Sequence, residues 1–333
     1  MLQTITDKSV FHQAIPELPM GKYAHFVLLR ETNSYPLFQT DGELNLARVS
    51  KGLAEQDITS RIIMFKRKQT TPERLTGREL LRLHQIIAAS KEEEAAGKGR
   101  FCEYNSADFC KACPDCIWYG FAIGSSGSER SKTLVDSAFS ITGYDESHEQ
   151  MTFNAPYETG TMGKGGVMKT SIGEQDHVLP QVYFPAVITL KDPTEAGFLY
   201  VLNNILRTKR YGAQTTRTGT VQNRVMAIIF ADGEIFSNLK LTQKVHDVLS
   251  TNGHLTPPLQ TAQVEQAILS AIPELLQVDS VVPQTYQGEQ LLSLLNEANT
   301  IFSDSEKLAG LIKQATNEAQ AYAKQYGALK SKK

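Results

Sequence analysis

Short apolar runs alternate with long polar stretches along this chain, a pattern of buried strands separated by loops and amphipathic helices. Residues 23–30 (YAHFVLLR) read as a strand, and so do 58–66, where Ile62, Ile63, Met64 and Phe65 are apolar. Residues 135–142 and 182–190 fit the same description, and the continuous run 225–230 (VMAIIF) suits a central strand. Helical spacing marks 76–89 through Leu80, Leu81, Leu83, Ile86 and Ile87, with Thr76 and Glu79 placed for a capping box. Residues 91–99 (KEEEAAGKG) predict a solvated helix end running into a loop, and 195–207 a helix. After Pro257 and Pro258 the pattern turns helical, over 263–272, closed by Pro273, and over 290–326. There Leu308, Leu311, Ile312, Ala315, Ala319 and Tyr322 make one apolar stripe. Between the third and fourth strands lies a polar excursion of about forty residues, a length that is uncommon without function. No internal repeat or long low-complexity tract is present. These elements predict an α+β fold.

The 333 residues suggest two domains, or one with insertions, and a 41% hydrophobic, 21% charged composition allows a sizeable core. A net charge of −2 says nothing of an anionic partner, so any such signal must lie in how the charges are distributed. The first residues, MLQTITDKSVF, lack a basic start followed by an apolar core, and the apolar runs are too short to span a bilayer. The expectation is a cytoplasmic protein with no membrane partner. A reducing compartment makes structural disulfides unexpected.

The only four cysteines, Cys102, Cys110, Cys113 and Cys116, are spaced C-x7-C-x2-C-x2-C. Tight C-x2-C turns bring thiolates onto one ion, and four sulfurs complete a closed tetrahedral shell. Structural Zn2+ is the favoured occupant, and it would staple a loop too small to have its own core. Iron–sulfur ligation and reduced cysteines without metal are the alternatives.

Residues 196–231 contain no Asp or Glu but carry Arg207, Lys209, Arg210, Arg217 and Arg224, with Tyr211 and Gly212 among them. That mixture suits phosphate contacts, close backbone approach and a stacked base. Residues 160–173 (GTMGKGGVMKTSIG) hold five glycines, Lys164 and Lys169, and no acid. They do not make a P-loop, because Met168 precedes Lys169, and Gly165 follows Lys164 where a hydroxyl is needed. A flexible hairpin against a nucleic-acid backbone fits better. Arg61, Lys66, Arg67, Lys68, Arg74, Arg78 and Arg82 form a third basic region; Arg48 and Lys51, beside Ser50 in GELNLARVSKG, form a fourth. Each run alone is more often a solvated face, but four in an acidic chain point to a basic groove.

Catalytic signals are sparse. The His246–Asp247 dipeptide has no companion ligands and reads as incidental; neither G-x-S-x-G nor H-E-x-x-H occurs. Asp41, beside Gly42, could align a 2′-hydroxyl or a metal-bound water, but an Asp-Gly turn explains it more simply.

The order of these segments, GELNLARVSKG, CPDCIWYGFAIG, GTMGKGGVMKTS and RTKRYGAQTTRTGTVQNR, resembles the RNA-wrapping backbone subunit of subtype I-D CRISPR Cascade complexes over about residues 20–250. The resemblance implies an RRM-like (ferredoxin-like) βαββαβ core, with helices on one face, formed by 1–67 and 129–257. It implies a helical and zinc-binding insertion at 68–128, a thumb-like hairpin at 145–180 and a helical C-terminal region at 258–333. Several copies would stack on one CRISPR guide RNA beside other Cascade subunits, and the guide would read target DNA, or alternatively RNA, by base pairing. The RNA-binding residues carried over are Arg48, Ser50, Lys51, Lys164, Lys169, Lys209, Arg210, Tyr211, Arg217 and Arg224. Residues 225–230 contain no Tyr and one Phe, so base stacking on the sheet is not expected, and groove and hairpin are the better candidates. The favoured role is non-catalytic. The alternatives are a backbone that also cleaves target at intervals through Asp41, and a zinc-stapled interaction module without RNA.

Overall fold

The structure is a computed structural model that describes residues 2–124, 127–154, 156–158, 160, 163–165, 167–168 and 172–327. Its centre is a five-stranded antiparallel sheet in the spatial order Thr133–Val135, Tyr183–Lys191, Tyr23–Thr32, Val221–Ala231, Gln284–Tyr286. Tyr23–Thr32 is buried at nine of ten positions, so both of its faces must be covered. Ala24, Phe26 and Leu28 enter one core cluster, while Val27 and Leu29, pointing the other way, enter a second. A bulge between Val27 and Leu28 shifts the pairing with Val221–Ala231.

Eight α-helices occur among the described residues: α1 (Lys66–Leu83), α2 (Lys91–Ala95), α3 (Pro114–Trp118), α4 (Glu195–Arg207), α5 (Asn238–Thr251), α6 (Thr261–Leu276), α7 (Gly288–Phe302) and α8 (Ser305–Gln325). Helices α1, α3, α4, α7 and α8 pack together on the first cluster; α5 and α6 cover the second. The expectation of helices on one face is therefore corrected to helices on both. The apolar stripe of α8 is buried as predicted from Leu308 to Tyr322. Of the C-terminal helices, α6 packs on the second cluster and α7 and α8 on the first.

Helix α4 has the predicted limits, with the Thr194 hydroxyl accepting from the Gly197 N–H as its cap. Helix α1 starts ten residues before the predicted 76 and stops at Leu83, so Thr76 and Glu79 do not cap it. Ile87–Ala88 instead pairs in parallel with Arg100–Phe101. The run 135–142 divides into Thr133–Val135 and Ala138–Phe139. Pro273 lies inside α6 instead of ending the helix. The predicted 290–326 helix breaks at Asp304, whose carboxylate caps the Glu306 and Lys307 N–H groups, each at 3.0 Å. Helix α5 carried no clear sequence signal.

Two glycines let the α1 face close. A methyl group at Gly77 would overlap the Asn204 amide and the Tyr200 hydroxyl of α4, and one at Gly197 would overlap the Trp118 indole. The polar excursion forms an antiparallel hairpin, His148–Asn154 with Ile172–Val178. No described helix is long and apolar enough to cross a membrane.

His25 is fully buried, its Nε2–H donating to the Gly233 carbonyl at 3.0 Å and its Nδ1 2.8 Å from the Thr189 hydroxyl. Burial lowers it from 6.5 to about 4. The unfolded chain thus binds its proton more readily than the folded one. The neutral ring's stability is fully present above pH 6.5 and lost as pH falls toward 4, by about 3 kcal/mol in all. Urea titrations across that window should show a slope that a His25→Gln variant lacks.

Candidate functional site

The sulfur cluster is built by short elements that could not hold it alone. Cys102 follows Arg100–Phe101, and Cys113 is the N-cap residue of α3 with Pro114 at its first turn. All four Sγ atoms are buried and lie within 4.8 Å of one another. Cys102 is 4.0 Å from Cys113 and 3.7 Å from Cys116, and Cys110 is 3.9 Å from Cys116. A tetrahedral ion with bonds of about 2.3 Å needs sulfur separations of about 3.8 Å, so the set fits a metal. The Cys110 N–H donates to Cys102 Sγ and the Cys113 N–H to Cys110 Sγ, both at 3.3 Å, which favours thiolates.

Cations surround the cluster. Asp115 is fully buried and takes Arg74 at 2.9 and 3.0 Å and Arg78 at 2.8 Å. Arg78 also reaches Cys102 Sγ at 3.4 Å. Contacts with the other three sulfurs, and then Arg78, hold the Cys102 thiol far below its usual value, while burial pushes Cys113 up. Four crowded thiols cannot all ionise without a cation among them. The cysteine segment packs into the main core: Cys116, Ile117 and Trp118 join the first core cluster.

The basic candidates fall into distinct environments. Lys209, Arg210 and Arg217 are exposed on the loop that follows α4. Arg210 donates to the Thr218 carbonyl at 2.6 Å, and Lys209 and Arg217 have no acid partner among the described residues. Tyr211 corrects the stacking assignment. It is fully buried, with the Arg30 guanidinium 4.9 Å from its ring centre, so no base can stack on it. Arg224 is half-buried against Glu31 at 3.1 Å and Glu265 at 3.6 Å. Arg48 is exposed on the strand Leu46–Ser50. The Ser50 carbonyl accepts from Gln243, and Lys51 is tied to Glu55 at 3.0 Å.

Lys164 lies on the short strand Gly163–Lys164, paired with Val167–Met168; Lys169 lies outside the described residues. Asp41 (φ +55°) and Gly42 (φ +94°) form the two-residue turn joining Gln39–Thr40 to Glu43–Leu44, so turn geometry accounts for the pair. His246–Asp247 is structural: the Asp247 carboxylate accepts from the Leu53 and Ala54 N–H groups at 2.8 and 2.9 Å.

The third basic region divides. Lys66 and Arg67 face solvent at the start of α1, where the first turn has no acid. Burial and then Arg67 lower the Lys68 ammonium. Arg61, Arg74 and Arg78 point inward, and Arg61 is spent on the carbonyls of Lys51, Ser140 and Ile141. Spacing shows a charge but not its direction.

A glutamine chain that sequence reasoning missed links three segments. Gln214 of the cationic loop lies 3.5 Å from Gln175 of the long hairpin, and Gln175 donates to Gln39 at 2.7 Å. The loop, the hairpin stem and the Asp41 turn therefore converge. The Arg48–Lys51 strand end instead meets α5, where Asp247 holds the following turn.

A mixed α+β fold with antiparallel sheets, a buried four-sulfur site and an acid-free cationic loop define the class. The chain belongs to the Csc2 CRISPR family: the family model described as Csc2 Crispr matches residues 10–312. It shares its fold with the crystal structure of Thermofilum pendens Csc2, at 12% identity and a TM-score of 0.65, over 99% of this chain and 98% of that one. A chain of a "CRISPR RNA-guided surveillance complex" aligns at 12% identity and TM-score 0.46, over 88% of this chain and 99% of that chain. A chain of a "CRISPR RNA-guided surveillance complex, pre-nicking" aligns at 10% identity and TM-score 0.49, over 84% of this chain and 99% of that chain. No curated protein matches the chain.

Elemental analysis of the purified protein should find one metal ion per chain, and none in a Cys113→Ser, Cys116→Ser double variant. Because α3 shares the core with α4, removing the metal should lower the melting temperature of the whole fold by more than about 5 °C. The sole tryptophan, Trp118, reports that transition by fluorescence.

Proposed function

We propose that this chain is a non-catalytic backbone subunit that holds CRISPR guide RNA in a subtype I-D Cascade complex of the cytoplasm. Several copies line one guide beside other Cascade subunits, and the guide pairs with target DNA. The observation that carries the reading is the loop after α4, which presents Lys209 and Arg217 to solvent inside a 36-residue stretch with no carboxylate. A phosphate approaching it displaces no acid partner, and the affinity gained comes from released counterions.

The antiparallel sheet order supports an RRM-like core, since the strands from 133, 183, 23 and 221 follow a 2-3-1-4 arrangement with α1 and α4 as its two crossovers. Because α5 and α6 cover the face where an RRM stacks bases, recognition runs through the backbone of the guide, leaving its bases for pairing. Membership of the Csc2 CRISPR family supports the same partner. Zn2+ fits the all-sulfur donor set of Cys102, Cys110, Cys113 and Cys116. Its closed shell supplies structure and no open position for water.

RNA co-purifying with the protein from its native host should consist of short species with a common repeat-derived end and variable spacers. In vitro, log affinity for single-stranded RNA should fall steeply with log salt, and Lys209→Ala with Arg217→Ala should reduce the slope by about 1.4. A salt-independent interaction, or folded protein free of RNA, would sink the reading in favour of a protein-interaction module.

A further inference from the structure

We propose that Tyr211 is the positioning residue of the RNA-facing loop, holding it in its binding shape before RNA arrives; this rests on the proposed guide-RNA role. The loop leaves α4 at Arg207 and enters the next strand at Val221, with Lys209 and Arg210 exposed on its first limb and Gln214 to Arg217 at its exposed tip. Both limbs are fastened beneath that tip. Ala213 N–H donates to the Leu37 carbonyl at 2.8 Å and Gly219 N–H to the Tyr35 carbonyl at 3.1 Å. Arg210 and the Tyr211 carbonyl both close onto Thr218, through the Thr218 carbonyl at 2.6 Å and its hydroxyl at 2.9 Å. Gly212 (φ +106°) and Gly219 run so close to Leu37 and Tyr35 that a side-chain carbon at either would strike backbone.

Tyr211 is the largest side chain that this loop sends into the core. Its hydroxyl donates to Glu73 of α1 at 3.0 Å and accepts from the Asn223 amide at 2.6 Å. Its ring lies under Arg30, which itself pairs with Glu73 at 2.9 Å and Asn223 at 2.7 Å. A phenol with all these partners in place has one rotamer, so the loop rooted on it has one shape. Lys209 and Arg217 then meet phosphates without an ordering cost at the moment of binding. Tyr211 touches no RNA and acts through the cations it places.

The test uses the full chain, a fluorescein-labelled single-stranded RNA oligonucleotide, and Tyr211→Phe alone and with Arg217→Ala. The Phe ring keeps the packing and loses the hydroxyl. Arg217→Ala should weaken the parent about fivefold, and Tyr211→Phe should weaken it about as much. In the Tyr211→Phe background, Arg217→Ala should then cost less than twofold, because a loop no longer held has less to lose. An undiminished fivefold cost in that background overturns the inference, since general destabilisation would leave the two changes additive. Limited trypsin digestion gives a readout without RNA: cleavage after Arg217 should be slow in the parent and several-fold faster in Tyr211→Phe. Equal rates also overturn the inference. If Tyr211→Phe does not fold, Thr218→Val takes its place, because it opens the loop closure without touching the buried pair. Absence of RNA binding by the folded parent would instead overturn the proposed function.

Discussion

The buried pair of Arg30 and Glu73 is the interaction on which the arrangement of this molecule turns. Both side chains are fully buried, 2.9 Å apart. Burial pushes the Glu73 carboxyl up, and Arg30 and the Tyr211 hydroxyl pull it back. Taking two such ions out of water costs several kcal/mol each, and a half-made pair is worse by about 3–5 kcal/mol. The pair therefore gives less net stability than uniqueness. It forms only when the central strand supplies Arg30, α1 supplies Glu73, the next strand supplies Asn223 and the loop supplies Tyr211. Compact states that misplace one of the four leave a charge in the dry interior.

The same helix solves a second problem in the same way. Next to Glu73 and about one turn further on, Arg74 and Arg78 turn toward Asp115 and the sulfur cluster, while Gly77 between them removes the bulk that would keep α4 away. The sulfur site brings negative charge into the interior, and these guanidiniums offset it. Helix α1 is polar in composition yet largely buried on one face, because its charges are answered by neighbours instead of by water. The sulfur cluster, the helix packing and the loop anchor share one element, so a change at the sulfurs is felt in the core.

This explains which parts of the fold were legible in the sequence. The strands at 23 and 183 and the helix at 195 rest on apolar runs, and their positions agree closely with the pattern, whereas the run 225–230 is the apolar part of a longer strand, Val221–Ala231. The start of α1 was hidden because residues 66–79 are mostly polar and include Pro72, which periodicity counts as surface. The inward Arg61, Arg74 and Arg78 looked identical to the outward Lys66 and Arg67 for that reason. Tyr211 failed as a stacking residue for a related one. An aromatic among cations fits a nucleic-acid face, and only the tertiary position of Glu73 and Asn223 shows that its hydroxyl is needed inside. The four cysteines were legible because their spacing alone brings the sulfurs together, whereas the glutamine link among 39, 175 and 214 has no local signature.

Whole-chain charge hid the cationic surface for a physical reason. The net value of −2 sums over ions that have already met their partners: Arg30, Arg224 and Lys51 each pair with carboxylates, and Arg74 and Arg78 share Asp115. What a polyanion meets is the remainder, and Lys209 and Arg217 belong to it because their stretch of chain contains no acid to pair with them. Backbone recognition needs such charges at fixed places but indifferent to sequence. A loop fastened to the core from below and linked by Gln214 to the long hairpin meets that requirement. The buried ions thus have a role at the surface. By consuming the acids inside and fixing the loop's root, they leave its cations both free and in place.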